Sequence, residues 1–434
     1  MTDVSRETEL KLVLAPGEAA RVAATPPLAG VQSRRDRFMA FYFDTPARDL
    51  ARNGLGLRLR REGRHWRMTL KAQGSSAAGL HQRPEWEYPA PGAILDLSRF
   101  AGTPLAELPG ADTLHSRLVA VLVTEFSRTR WLLEPQAGTR LEVALDEGHL
   151  LARRRTSAIQ EVEIELLSGH VSAAFDVAEA LASAVALRPE PASKLARGLR
   201  LASTARARPV HATAVNIRDA KDAREAAQRL AAACLAQAQA NEAGVLQCVD
   251  IEFVHQLRVA LRRLRSALRL FRNALAPGEC AAFADDLRWA AASLGRCRDW
   301  DVFITATLPS LIAAQGDAQA GREILRRARA RQREARRAAR ETVLSGRYGL
   351  AMIRLARWLL ETGPALADTA PLPEFASARL RKGAKRIAAD SAAYPTLDAP
   401  ARHALSRPYR RPHRTLRPWA ARGRQNRTQQ SPRR

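Results

Sequence analysis

Glu7-Thr8-Glu9-Leu10-Lys11 sets acid, acid and base at every second position near the start of the chain. Successive side chains of a strand point to opposite faces, so Glu7, Glu9 and Lys11 share one face while Thr8, Leu10 and Leu12 share the other. Core packing alone asks for no such row of charges. The same alternation returns in Arg58-Leu59-Arg60, Thr69-Leu70-Lys71, Arg83-Pro84-Glu85-Trp86-Glu87, Glu142-Val143-Ala144-Leu145-Asp146 and Glu161-Val162-Glu163-Ile164-Glu165-Leu166. If these strands belong to one sheet closed on itself, the apolar sides face outward and the charged sides line a wet lumen. A lumen of that kind suits a polyanion together with a metal.

At 434 residues the chain exceeds what one core usually holds, so two domains are expected. Its formal net charge of +26 points to an anionic partner. Most of that charge is Arg, which makes the lysines informative: before residue 200, Lys occurs only at Lys11, Lys71 and Lys194. Retaining Lys in an Arg-biased chain suggests a need for a compact ammonium rather than a forked guanidinium. Cys234, Cys248, Cys280 and Cys297 follow no zinc or disulfide spacing. No run of about 20 apolar residues and no signal peptide is read, so the expected location is the cytoplasm.

Strand signals fill residues 1–205, a short linker follows at 206–211, and residues 212–405 read as all-helical. The fold class is therefore α+β, a barrel followed by a helical bundle. In the second half Val254, Leu257, Leu261, Leu264, Leu268 and Phe271 form a buried helical seam. His255, Arg258, Arg262, Arg265, Arg269 and Arg272 repeat that spacing one residue later, a basic stripe for a long anion. Residues 406–434, with several prolines, abundant Arg and no apolar period, read as a disordered basic tail.

Carboxylates gathered in one lumen raise one another's pKa, and a divalent cation resolves the conflict. Mg²⁺ or Mn²⁺ suits Glu7, Glu9, Glu163 and Glu165 as ligands, with Asp146 beside them. Lys11, Arg58, Arg60, Lys71, Arg83, Arg128 and Lys194 would clamp phosphate oxygens.

Glu7 to Lys11 resembles the ExExK signature of the CYTH superfamily, the triphosphate tunnel metalloenzymes. Tyr42-Phe43-Asp44-Thr45, Gly56 to Arg60, Thr69 to Lys71, Gly79 to Glu85, Ala144 to Gly148, Glu161 to Gly169 and Ser193-Lys194 resemble its later blocks in order. The resemblance implies a tunnel of about eight antiparallel strands, dependence on Mg²⁺ or Mn²⁺, and triphosphate substrates. Val254 to Arg265 and Leu294-Gly295-Arg296-Cys297-Arg298-Asp299-Trp300-Asp301-Val302 resemble the CHAD domain, a helical module thought to bind polyphosphate. That resemblance implies polyphosphate binding at His255, Arg258 and Arg262, and an association with polyphosphate granules. In that family further helices follow the region of His403, whereas the tail here looks like translation in a shifted frame and leaves the bundle short.

The leading expectation is an inorganic triphosphatase splitting tripolyphosphate into pyrophosphate and phosphate, with Glu7, Glu9, Lys11 and Asp146 as the catalytic group. Rivals are a class IV adenylate cyclase or a thiamine triphosphatase in the same tunnel, and a polyphosphate- or nucleic-acid-binding protein without turnover. Polyphosphate is preferred over nucleic acid as the partner of the helices, and no membrane partner is expected. Because every residue assigned to chemistry precedes Thr204, the first half is expected to act alone.

Overall fold

The computed structural model describes residues 5–402 apart from 249, 277, 279, 316 and 361–370. The proposed tail at 406–434, and the helices sought after His403, lie outside the described residues.

The strands are β1 Ser5–Leu14, β2 Ser33–Asp44, β3 Gly56–Glu62, β4 His65–Lys71, β5 Ser75–Ala77, β6 Leu80–Ala90, β7 Val119–Gln136, β8 Thr139–Ala152, β9 Arg155–Ser168 and β10 Leu187–Pro189. All pairings are antiparallel, and the order β1-β9-β8-β7-β2-β3-β4-β6 returns to β1 through a β1–β6 ladder. Eight strands thus close into a barrel, with β10 and β5 added at its margin. The register places Glu7 opposite Arg83, Lys11 opposite Glu163, Lys71 opposite Glu85, and Asp146 opposite both Arg128 and Glu161. Since the side-chain period is two, all these charges occupy the same face, and that face is the lumen, as the alternation predicts.

Outward-facing Leu10, Leu12, Leu14, Val143, Leu145, Val162 and Ile164 are all buried. Phe175 and Leu181 of the helix Ser172–Ala182 cover them in one apolar core, which runs on into the helical half through Tyr348, Met352, Ile353, Leu257 and Leu261. Each such side chain stabilises the fold by about 1.5–3 kcal/mol when fully buried. The helix Gly346–Leu360 lies so close to β10 that a Cβ at Gly349 would fall 1.8 Å from the Leu187 carbonyl oxygen. Polar contacts fasten the same seam. Arg188 Nε of β10 donates to Glu242 Oε2 at 3.0 Å, and Tyr348 Oη donates to Glu242 Oε1 at 2.7 Å. Arg357 Nη1 reaches Asp176 Oδ1 at 2.7 Å.

On the other side of the barrel, Leu57, Leu59, Met68, Leu70 and Trp86 are covered by Phe100, Leu105 and Leu114. One end of the lumen is filled by a small apolar layer of Ala40, Tyr42, Leu122, Leu150, Ala152 and Ile159, against which the helix Lys194–Ala202 is packed. Gly198 makes that fit possible, because a Cβ there would lie 2.5 Å from a Leu122 methyl. The first residue of this helix is Lys194, which points back into the lumen.

The second half is helical as expected, with Ala223–Gln247, Ile251–Phe271, Ala281–Val302, Ala318–Leu344, Gly346–Leu360 and Leu372–Ala393 as its long helices. Asp222, Asp250 and Asp317 cap the first, second and fourth of these by accepting a backbone N–H. The predicted seam from Val254 to Phe271 is buried throughout. Among the described residues no helix is long and apolar enough to cross a membrane.

Candidate active site

The lumen holds its charges in a continuous chain of ion pairs. Lys71 Nζ sits 2.6 Å from Glu7 Oε1 and 2.9 Å from Glu85 Oε2. Arg83 bridges Glu7 at 3.1 Å and Glu9 at 2.8 Å. Lys11 Nζ lies 2.8 Å from Glu9 Oε2 and contacts Glu163. Arg128 grips Asp146 with two bonds of 2.7 Å and also contacts Glu163. Lys194 Nζ reaches Asp146 at 2.7 Å and Glu163 at 3.0 Å, and touches Glu161. Taking this many charges out of water costs more than ordinary folding requires, and apolar residues of similar size would often serve stability better. The arrangement is therefore read as chemistry rather than support.

Electrostatics divide the lumen into a balanced centre and two unbalanced sides. Burial would raise the carboxyls of Asp146 and Glu163, yet Arg128 and Lys194 hold Asp146 low, and Lys11, Lys194 and Arg128 hold Glu163 well below the usual range. Glu7 is likewise lowered against its burial by Lys71 and Arg83. Glu165 differs. Among the described residues it has no ion-pair partner, and burial, with Glu7, Glu9 and Glu142 nearby, pushes its carboxyl up to about 7. On the opposite side, burial beside Arg58 and Arg128 pulls the Arg60 guanidinium down to about 10 although Glu87 pairs with it, whereas against its burial Glu85 and Glu87 hold Arg58 above its ordinary value. The Nε atoms of Arg58 and Arg60 are buried without a hydrogen-bond partner. One side of the lumen thus lacks a cation, and the other keeps buried Nε donors to spare on Arg58 and Arg60, whose Nη2 atoms pair with Glu85 at 3.6 Å and Glu87 at 3.2 Å.

Those two deficits decide where a metal fits. One oxygen each from Asp146, Glu161 and Glu163 lies within 4.8 Å of the others, a set suited to a hard divalent ion. That group already faces Lys194, Arg128 and Lys11, which an ion would have to displace. Glu7, Glu9 and Glu165 form the neighbouring wall, where Glu9 is paired in register with Glu165, and the unbalanced charge of Glu165 is what an added cation would relieve.

Every lumen residue singled out from the sequence, from Glu7 to Lys194, is brought together here. His255, Arg258 and Arg262 are not: they lie on the helix Ile251–Phe271, which packs between the helices Ala223–Gln247 and Ala281–Val302, outside the barrel. There Arg258 passes over Gly295, whose missing Cβ would be 3.5 Å from its Nε. Several lumen residues escaped assignment. Glu161 shares the period of Glu163 and Glu165, and Arg130 that of Arg128, so alternation could have found both. Arg130 holds Asp36 at 2.7 Å and Glu62 at 2.8 Å near the other end of the barrel. Arg197, three residues after Lys194, pairs with Glu161 from the same face of its helix. His81, kept neutral by burial and by Lys11 with its pKa near 4, gave no signal beyond its position two residues before Arg83.

The raised Glu165 carboxyl makes a prediction about stability. Its folded value, about 7, lies above the ordinary 4.5, so folding takes up a proton and stability falls as pH rises through that window. In metal-free protein Glu165→Gln should raise unfolding stability at pH 8 by about 1–3 kcal/mol and flatten the slope between about pH 5 and 7. Urea titrations in chelator measure this; an unchanged midpoint at pH 8 would show that Glu165 carries no such burden.

Comparison with known proteins agrees with both halves of this architecture. Residues 5–199 match the CYTH domain and residues 229–411 match the CHAD domain. An inorganic triphosphatase from Haemophilus influenzae is 33% identical over 200 residues, covering 46% of this chain and 55% of that protein. The chain thus spans only about half the length of that relative. Among solved structures, the CHAD domain from the plant Ricinus communis is 32% identical, with 48% of this chain and 69% of that one covered and a TM-score of 0.41. A protein from Hippeastrum, described as a putative adenylyl cyclase with a dominant triphosphatase activity, is 20% identical, with 45% of this chain and 95% of that one covered and a TM-score of 0.33. Residues 5–199 thus carry a CYTH domain and residues 229–411 a CHAD domain.

Proposed function

We propose that the protein is a metal-dependent inorganic triphosphatase that hydrolyses tripolyphosphate to pyrophosphate and phosphate. The observation that supports this reading is the pair of opposed deficits among the described residues of the lumen: Nε donors of Arg58 and Arg60 without a hydrogen-bond partner, and a Glu165 carboxylate without an ion-pair partner. A phosphate chain answers the first and a divalent cation the second. Glu7, Glu9, Glu163 and Glu165 would hold Mg²⁺ or Mn²⁺, which polarises phosphoryl oxygens and neutralises charge as it develops. Lys11, Lys71, Arg83, Arg58 and Arg60 bind the phosphate oxygens and fix the chain in line. Asp146 keeps Arg128 and Lys194 in place until substrate draws on them. Water attacks the terminal phosphorus, the bond to the bridging oxygen breaks, and pyrophosphate leaves with its charge held by these cations. The water proton passes to a lumen carboxylate.

Phosphate release from tripolyphosphate, ATP, thiamine triphosphate and long-chain polyphosphate, with Mg²⁺ and with Mn²⁺, tests this directly. Tripolyphosphate is expected to turn over fastest; cyclic nucleotide formed from ATP, or thiamine triphosphate as best substrate, would replace the reading with one of its relatives. Lys71→Ala should lower kcat/KM for tripolyphosphate by roughly ten- to a hundred-fold, the value of one charge-assisted contact. Arg61→Ala serves as the control, because Arg61 is exposed and lies over the Trp66 ring outside the lumen. Equal losses would mean that the substrate senses general basicity. For the helices, we assign long polyphosphate to the His255, Arg258 and Arg262 stripe, with affinity falling steeply as salt rises.

A further inference from the structure

Two rings stand among the lumen charges with no part in the chemistry above. Phe38 of β2 and Phe126 of β7 are direct cross-strand partners. Both occupy lumen-facing positions, two residues from Asp36 and Arg128 respectively. Their centroids are 5.4 Å apart with the planes 8° from parallel. Phe38 is only 4% exposed, yet it belongs to none of the three apolar clusters among the described residues. The barrel makes room for the pair with a bare backbone: Gly148 lies opposite Phe126, and a Cβ there would fall 2.6 Å from the Phe126 Cβ.

Phe126 packs on one side against the apolar layer at the end of the lumen, and four cations lie near the two rings. The Cζ atoms of Arg60 and Arg130 lie 5.3 and 5.8 Å from the Phe38 centroid. Arg128 Cζ lies 5.7 Å from both centroids, and Lys194 Nζ lies 5.1 Å from that of Phe126. A ring face is negative, and it attracts a desolvated cation by about 2 kcal/mol. A carboxylate holds a guanidinium by occupying its N–H groups. A ring holds it by the face and leaves those donors for another acceptor.

We propose that the Phe38–Phe126 stack positions Arg128, Lys194 and Arg60 for the anionic substrate, keeping these cations fanned across the lumen when phosphate oxygens displace Asp146 and Glu163 from the first two and Glu87 from the third. The two phenylalanines are positioning residues, acting through cations that touch the substrate. The proposal rests on the triphosphatase reading for the identity of that substrate, but the hold of the rings on the cations does not depend on it.

The test is a series of phenylalanines with none, one, two and four ring fluorines, placed at Phe38 and Phe126 of the full chain. Fluorination drains the ring face of negative charge with little change of shape. The first readout needs no substrate: exchange of the Arg128 Nε–H with solvent, followed by nuclear magnetic resonance, should quicken stepwise along the series. The second is the affinity for tripolyphosphate by calorimetry without added metal, expected to weaken stepwise, by about ten-fold in all for a loss near 1.4 kcal/mol. Phe126→Leu, apolar but without a ring, should raise KM by a similar factor and change kcat little, and Phe126→Tyr should restore it. If both exchange and affinity stay flat across the series, the proposal is overturned, even in a fully active enzyme. If unmodified protein fails to bind tripolyphosphate, the triphosphatase reading falls, and the exchange series still decides whether the rings hold the cations.

Discussion

Lys194→Ala is expected to be the most damaging single change in the barrel, costing about 3–5 kcal/mol of stability and more than about a hundred-fold in kcat/KM. The side chain is 8% exposed and faces Asp146, Glu161 and Glu163, all buried. Removing it leaves those carboxylates short of a counterion in a site where water cannot replace the ammonium. Asp146 and Glu163 sit below their ordinary values, so their stabilising contribution is present above about pH 4 and is lost as pH falls through the folded value. In the variant those folded values rise. Its deficit should therefore be largest near neutrality and smaller at about pH 3.5, where wild type has begun to lose the same contribution. Urea unfolding at both pH values measures the difference, and a variant within about 1 kcal/mol of wild type at pH 7 would show that Arg128 and Lys11 suffice for these acids.

A chain ending at Thr204 is the second case, and here the structure reverses what the order of residues suggests. Every residue assigned to chemistry precedes Thr204, which from sequence alone makes the first half look self-sufficient. Yet Leu10, Leu12, Leu14, Phe175 and Leu181 share one core with Tyr348, Met352, Ile353 and Leu355. Cutting the chain uncovers that face, at about 1.5–3 kcal/mol for each large side chain returned to water, and leaves an apolar patch prone to association. Glu242, the buried partner of Arg188 on β10, leaves with the helices. The fragment is expected to aggregate and to release little phosphate. Gel filtration beside a phosphate-release assay measures both, and a monomeric fragment with full turnover would show the shared core to be dispensable.

The barrel was legible because a period of two is a strong signal when charge rather than apolarity carries it. Glu7, Glu9 and Lys11 announced a lumen that their apolar neighbours could not fill, and the scarcity of Lys singled out Lys194 before its helix was known to cap the barrel. The Phe38 to Phe43 run was harder. It reads as a dense apolar strand bound for a core, but alternation sends Phe38 into the lumen and Phe41 outward to stack on Trp66, with centroids 6.4 Å apart. The joint core escaped notice because the helices that complete it are rich in Ala, as at Ala226, Ala227, Ala231 and Ala238. Small side chains bury well against a sheet without marking which sheet. Periodicity reports which face of an element is apolar and leaves open what covers it.

The closure of the barrel sets the order in which this molecule can be made. β1 leaves the ribosome well before both of its ladder partners are made, since β6 spans Leu80–Ala90 and β9 spans Arg155–Ser168, and the helix over β10 spans Gly346–Leu360. At about 5–20 residues per second, Leu10 and Leu12 wait on the order of ten seconds for their sheet, and about as long again for the helices that cover it. During that interval an unpaired strand edge and an apolar face are exposed together in a nascent chain. A chaperone that shields an early strand until its late partner arrives is expected to raise the yield of such a chain.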